Sequence, residues 1–170
     1  MSLSSDLIHQ RGDFVNSYKF ELFIHVGAVI VGLGATFALP FLQAFAERSG
    51  VSATRFSLRF SERLENFLII PSAILLFIFG GLLMSNDVTG YTDDMPAWLI
   101  ISIVWFIAAF GGAIFLQRRQ MKAAIATLEG VPDGAALPAA YVAAAKRIQM
   151  VGGLLGLSVI GIAFLMIWKP

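Results

Sequence analysis

The sequence has no cysteine, few charges and only two histidines, and each shortage excludes a class of protein. Without cysteine there is no disulfide framework, no thiolate metal site and no cysteine nucleophile. Charged residues make up 14% of the 170 residues, and the net charge is +1, so the chain lacks the basic excess typical of nucleic-acid binding. Nucleic acid is therefore not an expected partner.

Apolar residues, by contrast, dominate the chain. They make up 58% of it, and the mean hydropathy is +0.80, outside the range of ordinary soluble domains. Four apolar segments are each close to the roughly 20 residues that a helix needs to cross the hydrocarbon core. They cover residues 20–45, 67–84, 97–116 and 150–168. These segments predict an all-α fold, a polytopic four-helix membrane bundle forming one domain over residues 1–170, with the lipid bilayer as its first partner.

The charges of the connecting segments predict the orientation. Five basic residues lie between spans three and four, and four between spans one and two, whereas the segment between spans two and three has three aspartates and no Lys or Arg. The basic residues are Arg48, Arg55, Arg59, Arg63, Arg118, Arg119, Lys122, Lys146 and Arg147, and the aspartates are Asp87, Asp93 and Asp94. The positive-inside rule places the basic segments in the cytoplasm and both termini outside.

An amphipathic helical segment is predicted to run into span two. Phe56, Phe60, Leu64 and Phe67 recur at helical spacing, with arginines on the adjoining face. Such a segment suits an extension among lipid headgroups, and the alternative is a helix that docks a partner. Small residues spaced four apart in spans one, three and four, such as Gly152 and Gly156, favour close helix packing.

The candidate site lies at the start of span one. Glu21, His25 and Gly32 share one helical stripe, which is polar at its outer end and small-sided further in. Ionisable groups inside a membrane are candidates for function, and a carboxylate can orient an imidazole so that its second nitrogen binds a metal. The alternative is that His25 only bonds a neighbouring helix.

Three methionines extend this candidate site. The predicted topology places Met84, Met95 and Met166 on the same outer side as His25. One imidazole with thioethers suits Cu(I), and His with Met is also an axial pair for haem iron. Methionine also fills irregular gaps in helix packing, which is the competing explanation.

Several short motifs resemble one membrane superfamily. They are FIHVGAVIVGLGATFALPF with His25 and Pro40, SERLENFLIIPSAILLFIFGGLLM with Glu62 and Pro71, Trp98 at the start of span three, and the closing MIWKP. They resemble the superfamily of the HemJ-type protoporphyrinogen oxidases, the copper-resistance D membrane proteins and several uncharacterised bacterial four-helix families. The resemblance implies a multi-pass protein of a bacterial inner membrane.

The departures from that pattern bear on activity. The HemJ-type oxidases carry a lysine and a histidine in the third helix, where this chain has Ser102 and no histidine. His9, in the polar tail, is the only other histidine, so a bis-histidine haem inside the bundle is not expected. The expected function is a non-catalytic accessory or assembly subunit, with other membrane subunits or a homo-oligomer as partners. The alternative is haem, porphyrin or copper binding through His25, with a role in electron transfer.

Overall fold

Four long helices make up most of the described chain. The computed structural model describes the backbone of residues 3–169 and the side chains of residues 15–169. We label the helices α1 to α4, and each of the first three contains a π-helical turn. Their parts are, for α1, Leu3–Ala28, the π turn Val29–Leu33 and Gly34–Ser49; for α2, Val51–Leu64, the π turn Glu65–Ile69 and Ile70–Ser85; for α3, Ala97–Gly112, the π turn Ala113–Gln117 and Arg118–Thr127; and for α4, Ala139–Trp168.

All four helices are long and apolar enough to cross a membrane, which confirms the predicted all-α four-helix fold. Three of them, Val51–Ser85, Ala97–Thr127 and Ala139–Trp168, have 35, 31 and 30 residues. At a rise of about 1.5 Å per residue they exceed the roughly 30 Å of hydrocarbon. We call the end with the loop 86–96 the acidic end, and the end with Gly50 and the loop 128–138 the basic end.

The helices α1 and α2 form a tight antiparallel hairpin. Gly50 joins them at φ +106°, a backbone conformation that other residues rarely adopt. Further into the hairpin, Gly32 is buried directly against Ser72, and a methyl group at Gly32 would overlap the Ser72 side chain. The absence of a side chain at Gly32 therefore sets the closest approach of the two helices.

The helices α3 and α4 form a second hairpin of the same kind. A methyl group on Gly161 would lie 2.5 Å from Cη2 of Trp105, and one on Gly152 would lie 3.6 Å from Nε2 of Gln117. At the acidic end, Nζ of Lys169 lies 5.9 Å from the ring centroid of Trp98. The predicted small-residue contact is thus present at Gly152 on α4, and a methyl group on Gly156 would lie 3.8 Å from Cε1 of Phe37 on α1.

The two hairpins share their best-buried core at the basic end. Leu58 of α2 packs there with residues of α3, of α4 and of the start of the loop 128–138. The buried members are Leu58, Met121, Ala124, Leu128, Tyr141 and Ala145. All of these lie outside the predicted spans, because within the membrane most large apolar side chains face outward to lipid.

The amphipathic segment is present and is continuous with span two, as predicted. Its packed face, however, is formed by small and polar side chains such as Thr54, Ser57 and Ser61, all of them buried. Phe56 and Phe60 point outward instead. Small side chains allow α1 to approach α2 closely here, and the phenylalanine side chains face the membrane.

Candidate functional site

His25 lies between α1 and α2 and is held by the backbone of α2. Its Nδ1 is 3.0 Å from the carbonyl oxygen of Leu76. Because a carbonyl oxygen only accepts hydrogen bonds, Nδ1 carries the proton and donates it. The ring lies on Gly80, where a methyl group would be 3.2 Å from Cε1 of the imidazole. The missing side chain at Gly80 thus makes room for His25.

Glu21 is bound by its own helix and by the loop that follows α2. Its carboxylate accepts hydrogen bonds from Oγ of Ser17 at 2.9 Å and from Nδ2 of Asn86 at 3.0 Å. Among the described side chains, no hydrogen bond joins Glu21 to His25. The two residues share a stripe of α1, as the spacing indicates, but His25 contacts α2 whereas Glu21 contacts Asn86, the first residue of the loop 86–96.

The other predicted site residues lie on several elements. Gly32 is two turns deeper than His25 and contacts Ser72. Met84 follows Gly80 by four residues, so it shares the face of α2 that His25 contacts. Met95 is exposed in the loop before α3, and Met166 lies on α4, in the other hairpin. The copper or haem ligand set of His25 with the methionines stays a prediction.

Metal ligands of other types are not clustered. Within residues 15–169, no group of three or more His, Asp or Glu side chains is arranged to hold a metal ion. The aspartates of the loop 86–96 are exposed there.

A second polar cluster, which the sequence analysis missed, joins the hairpins at the basic end. The hydroxyl of Tyr141 donates to Oε1 of Glu47 at 2.6 Å and accepts from Nε2 of Gln43 at 2.6 Å. Oγ of Ser57 donates to Oε1 of Gln43 at 2.8 Å. The cluster therefore links α4 to α1 and α2. Its signal in the sequence is the spacing of Gln43 and Glu47, four residues apart where the first apolar segment ends.

The environment of Tyr141 favours its neutral form. Burial raises the pKa of Tyr141 well above the usual tyrosine value, and the hydrogen bond to the Glu47 carboxylate and its negative charge raise it further. Gln43 has a smaller, opposite effect. The phenol thus stays protonated at neutral pH and acts as a hydrogen-bond donor.

The outer face of α1 has a shallow apolar groove of about 430 Å³. It is lined by Lys19, Leu22, Phe23, Val26, Gly27 and Ile30, all on one helix. A methyl group on Gly27 would meet no atom of the described residues within 4 Å, so the backbone is open there. An open glycine in a membrane helix allows a second helix to approach closely.

Comparison with known proteins identifies a family but no individual relative. Neither a curated protein nor a solved structure matches the chain. One family model, described as "Predicted integral membrane protein (DUF2269)", matches residues 21–170. This match begins at Glu21 and includes all four predicted spans apart from Phe20. The chain therefore belongs to the DUF2269 family of integral membrane proteins.

Proposed function

We propose that the protein is a non-catalytic accessory or assembly subunit of a larger membrane complex. The observation that carries this proposal is the open groove on α1, where Gly27 lies between Phe23 and Ile30. Without a hydrophobic drive between helices, membrane helices associate where small residues let backbones come together. The partner is a transmembrane helix of another subunit, packed along α1.

The use of the polar side chains supports the same role. His25 binds α2, Glu21 binds the first residue of the loop after α2, and Tyr141 binds α1, so these groups hold the bundle together. A subunit whose task is to present a stable surface needs such internal bonds. A catalytic site needs polar groups that converge on a substrate.

The test fills the groove at one glycine and compares it with a matched glycine elsewhere. Gly27→Leu places a side chain where the partner helix packs, and Gly153→Leu does the same on α4, where a methyl group also meets no atom within 4 Å. Both variants are extracted from native membranes in mild detergent. Co-purifying subunits are then identified by mass spectrometry.

The expected result is a fixed set of partner subunits with wild type and with Gly153→Leu, and their loss with Gly27→Leu. The melting temperatures of the three isolated proteins should agree, since a methyl group at either glycine would meet no atom of the described residues within 4 Å. A wild-type chain recovered alone, or only with copies of itself, would overturn the accessory role.

Haem, porphyrin or copper binding through His25 is the second candidate, because one observation favours it. When Nδ1 donates to Leu76, the neutral imidazole leaves Nε2 without a proton, the form in which histidine binds metals. The resemblance to the superfamily of the HemJ-type oxidases and the copper-resistance D proteins points to the same ligands. Met84, on the face of α2 that His25 contacts, would supply a thioether.

This candidate is tested on the purified protein by its visible spectrum and its copper content. The variant is His25→Ala, and His9→Ala is the matched histidine control. A Soret band or stoichiometric copper that is lost only in His25→Ala supports the second function. Equal spectra and equal copper content in all three proteins reject it.

A further inference from the structure

The exposed face of α2 at the basic end carries phenylalanines and arginines together. Phe56, Phe60, Arg63 and Phe67 follow one another at intervals of four, three and four residues, so they form one helical stripe. The phenylalanines are 67%, 43% and 83% exposed, and the first two rings stack with centroids 6.1 Å apart. Arg59 is exposed one turn before Arg63. We call these five residues the Phe-Arg face.

The Phe-Arg face lies at the predicted membrane surface. Arg63 precedes the predicted span 67–84 by four residues, which is about 6 Å of helix, and Arg59 and Phe56 precede it by eight and eleven residues, about 12 Å and 16 Å. The headgroup layer extends roughly 5–8 Å beyond the hydrocarbon on each side. On α1 the apolar exposure continues to Phe45, and Ala46 there contacts Thr54 of α2 through a hydrogen bond to its carbonyl. The predicted boundary of span one is therefore level with Thr54 and that of span two is at Phe67, so the five residues of the Phe-Arg face lie between these two boundaries.

Within residues 15–169 neither arginine of the Phe-Arg face forms an ion pair, although Glu62 follows Arg59 by three residues and Glu129 lines a pocket with Arg59. The one ion pair within that range joins Arg55 to Asp133. Two like charges one turn apart repel each other on a helix. A phosphate between them would remove that repulsion, and guanidinium groups bind phosphate oxygens in pairs.

We infer that the Phe-Arg face binds an anionic phospholipid of the surrounding bilayer. Arg59 and Arg63 hold the phosphate, Phe67 lies against the acyl chains, and Phe56 and Phe60 occupy the interface, where aromatic side chains are favoured. Charge complementarity selects this occupant, because two unpaired guanidinium groups beside exposed rings match an anionic headgroup above apolar chains.

The experiment measures lipid binding by the full chain in detergent, with phosphatidylglycerol as the anionic probe and phosphatidylcholine as the zwitterionic one. Native mass spectrometry counts bound lipid while each lipid is titrated. The double variant is Arg59→Gln with Arg63→Gln. Its matched control is Lys146→Gln with Arg147→Gln, two exposed cations on α4 that are adjacent and so point in different directions.

The wild type and the control should bind phosphatidylglycerol in preference to phosphatidylcholine. The Arg59/Arg63 variant should lose roughly 30-fold in phosphatidylglycerol affinity, since each lost arginine removes one contact of ordinary strength near a membrane surface. Equal binding of the two lipids by the wild type, or full binding by the variant, would overturn the inference.

A second measurement separates lipid from protein as the occupant. Phe56 is replaced by the photoreactive benzoylphenylalanine, and native membranes are irradiated before the protein is purified. An adduct with the mass of a phospholipid supports the inference. An adduct with a polypeptide would overturn it and would assign the Phe-Arg face to a protein partner.

Discussion

Two glycines on α1, two positions apart, should respond oppositely to the same added methyl group. At Gly32 the methyl would overlap Ser72, so Gly32→Ala should lower the free energy of unfolding by about 1–3 kcal/mol. At Gly34 it would meet no atom within 4 Å, so Gly34→Ala should be neutral or raise that free energy by up to about 1 kcal/mol. Unfolding in detergent with SDS measures both. Equal stability of the two variants would contradict the packing described for α1 and α2.

Tyr141 should contribute more to stability than a tyrosine that lacks buried partners. Tyr141→Phe removes the hydrogen bonds to Glu47 and Gln43 and should cost about 1.5–3 kcal/mol of unfolding free energy. Tyr91 packs edge-on against Trp98, and its hydroxyl makes no hydrogen bond within the described residues. Tyr91→Phe should therefore change stability by less than about 0.5 kcal/mol. The same unfolding experiment compares the two variants, and equal losses would contradict this role of Tyr141.

The raised pKa of Tyr141 also predicts a dependence on pH. Its ordinary value of 10.0 applies to the unfolded chain, and burial in the folded chain raises the pKa above that. The stabilisation from the neutral phenol is therefore fully present below pH 10 and is lost as the pH rises above it. Wild-type stability should fall more steeply than that of Tyr141→Phe between pH 10 and about 11. Parallel pH profiles would contradict the prediction.

At the scale of elements, Arg55 joins α2 to the end of α3. Its guanidinium donates to the carbonyl oxygens of Leu128 at 3.1 Å and Val131 at 2.7 Å, and also to Asp133 at 3.1 Å. Arg55→Ala should cost about 1.5–3 kcal/mol, because it leaves the carbonyls at a helix end without this donor. Asp133 is 67% exposed, so Asp133→Asn should cost about 0–1 kcal/mol. Thermal unfolding of both variants checks this order, and the reverse order would assign the main effect to the ion pair.

The helices could be predicted from sequence because their cause is local. A run of apolar side chains excludes water, and the backbone must then form its own hydrogen bonds within the segment. The same reasoning applies between Arg55 and span two, where apolar residues keep the spacing of a helix and so predict one continuous helix. Pro71 is also compatible with one continuous helix. The π turn Glu65–Ile69 widens the helix at the carbonyl group that the proline ring would otherwise strike.

The sequence could not predict which face of α2 packs against α1, because that depends on how well each face fits the neighbouring helix. The stripe of Phe56 and Phe60 is the more hydrophobic one, and in water it would be the buried one. In a membrane the larger apolar side chains can face lipid, while Thr54 and Ser57 allow close contact and form hydrogen bonds with α1. Composition alone does not fix that choice.

In the candidate site, too, one feature could be predicted from the sequence and another could not. The shared stripe of Glu21 and His25 follows from their spacing, so it was available from the sequence. Their partners were not, because Asn86 and Leu76 are 65 and 51 residues away along the chain. Only the packing of α1 on α2 brings them together, and it gives the two residues separate partners.

At the scale of the whole molecule, the bundle is most firmly joined at the basic end. There the core around Leu58 and Tyr141, the bonds of Tyr141 to α1 and the bonds of Arg55 to the loop 128–138 connect the two hairpins. The membrane-facing part contributes mainly pairwise contacts within each hairpin, such as Gly32 with Ser72. The basic end is therefore the part of the molecule that fixes how the two hairpins sit together.

The cellular role of the protein depends on which side of the membrane the basic end faces. Since the chain has no cysteine, single cysteines report it without background. Thr92→Cys lies in the acidic loop and Ala135→Cys in the loop at the basic end, and both positions are exposed. The positive-inside rule predicts that a membrane-impermeant maleimide added to intact cells labels Thr92→Cys only, and that Ala135→Cys reacts once the cells are permeabilised. Labelling in the opposite order would place the Phe-Arg face in the outer leaflet, and it would then contact the phospholipids of that leaflet.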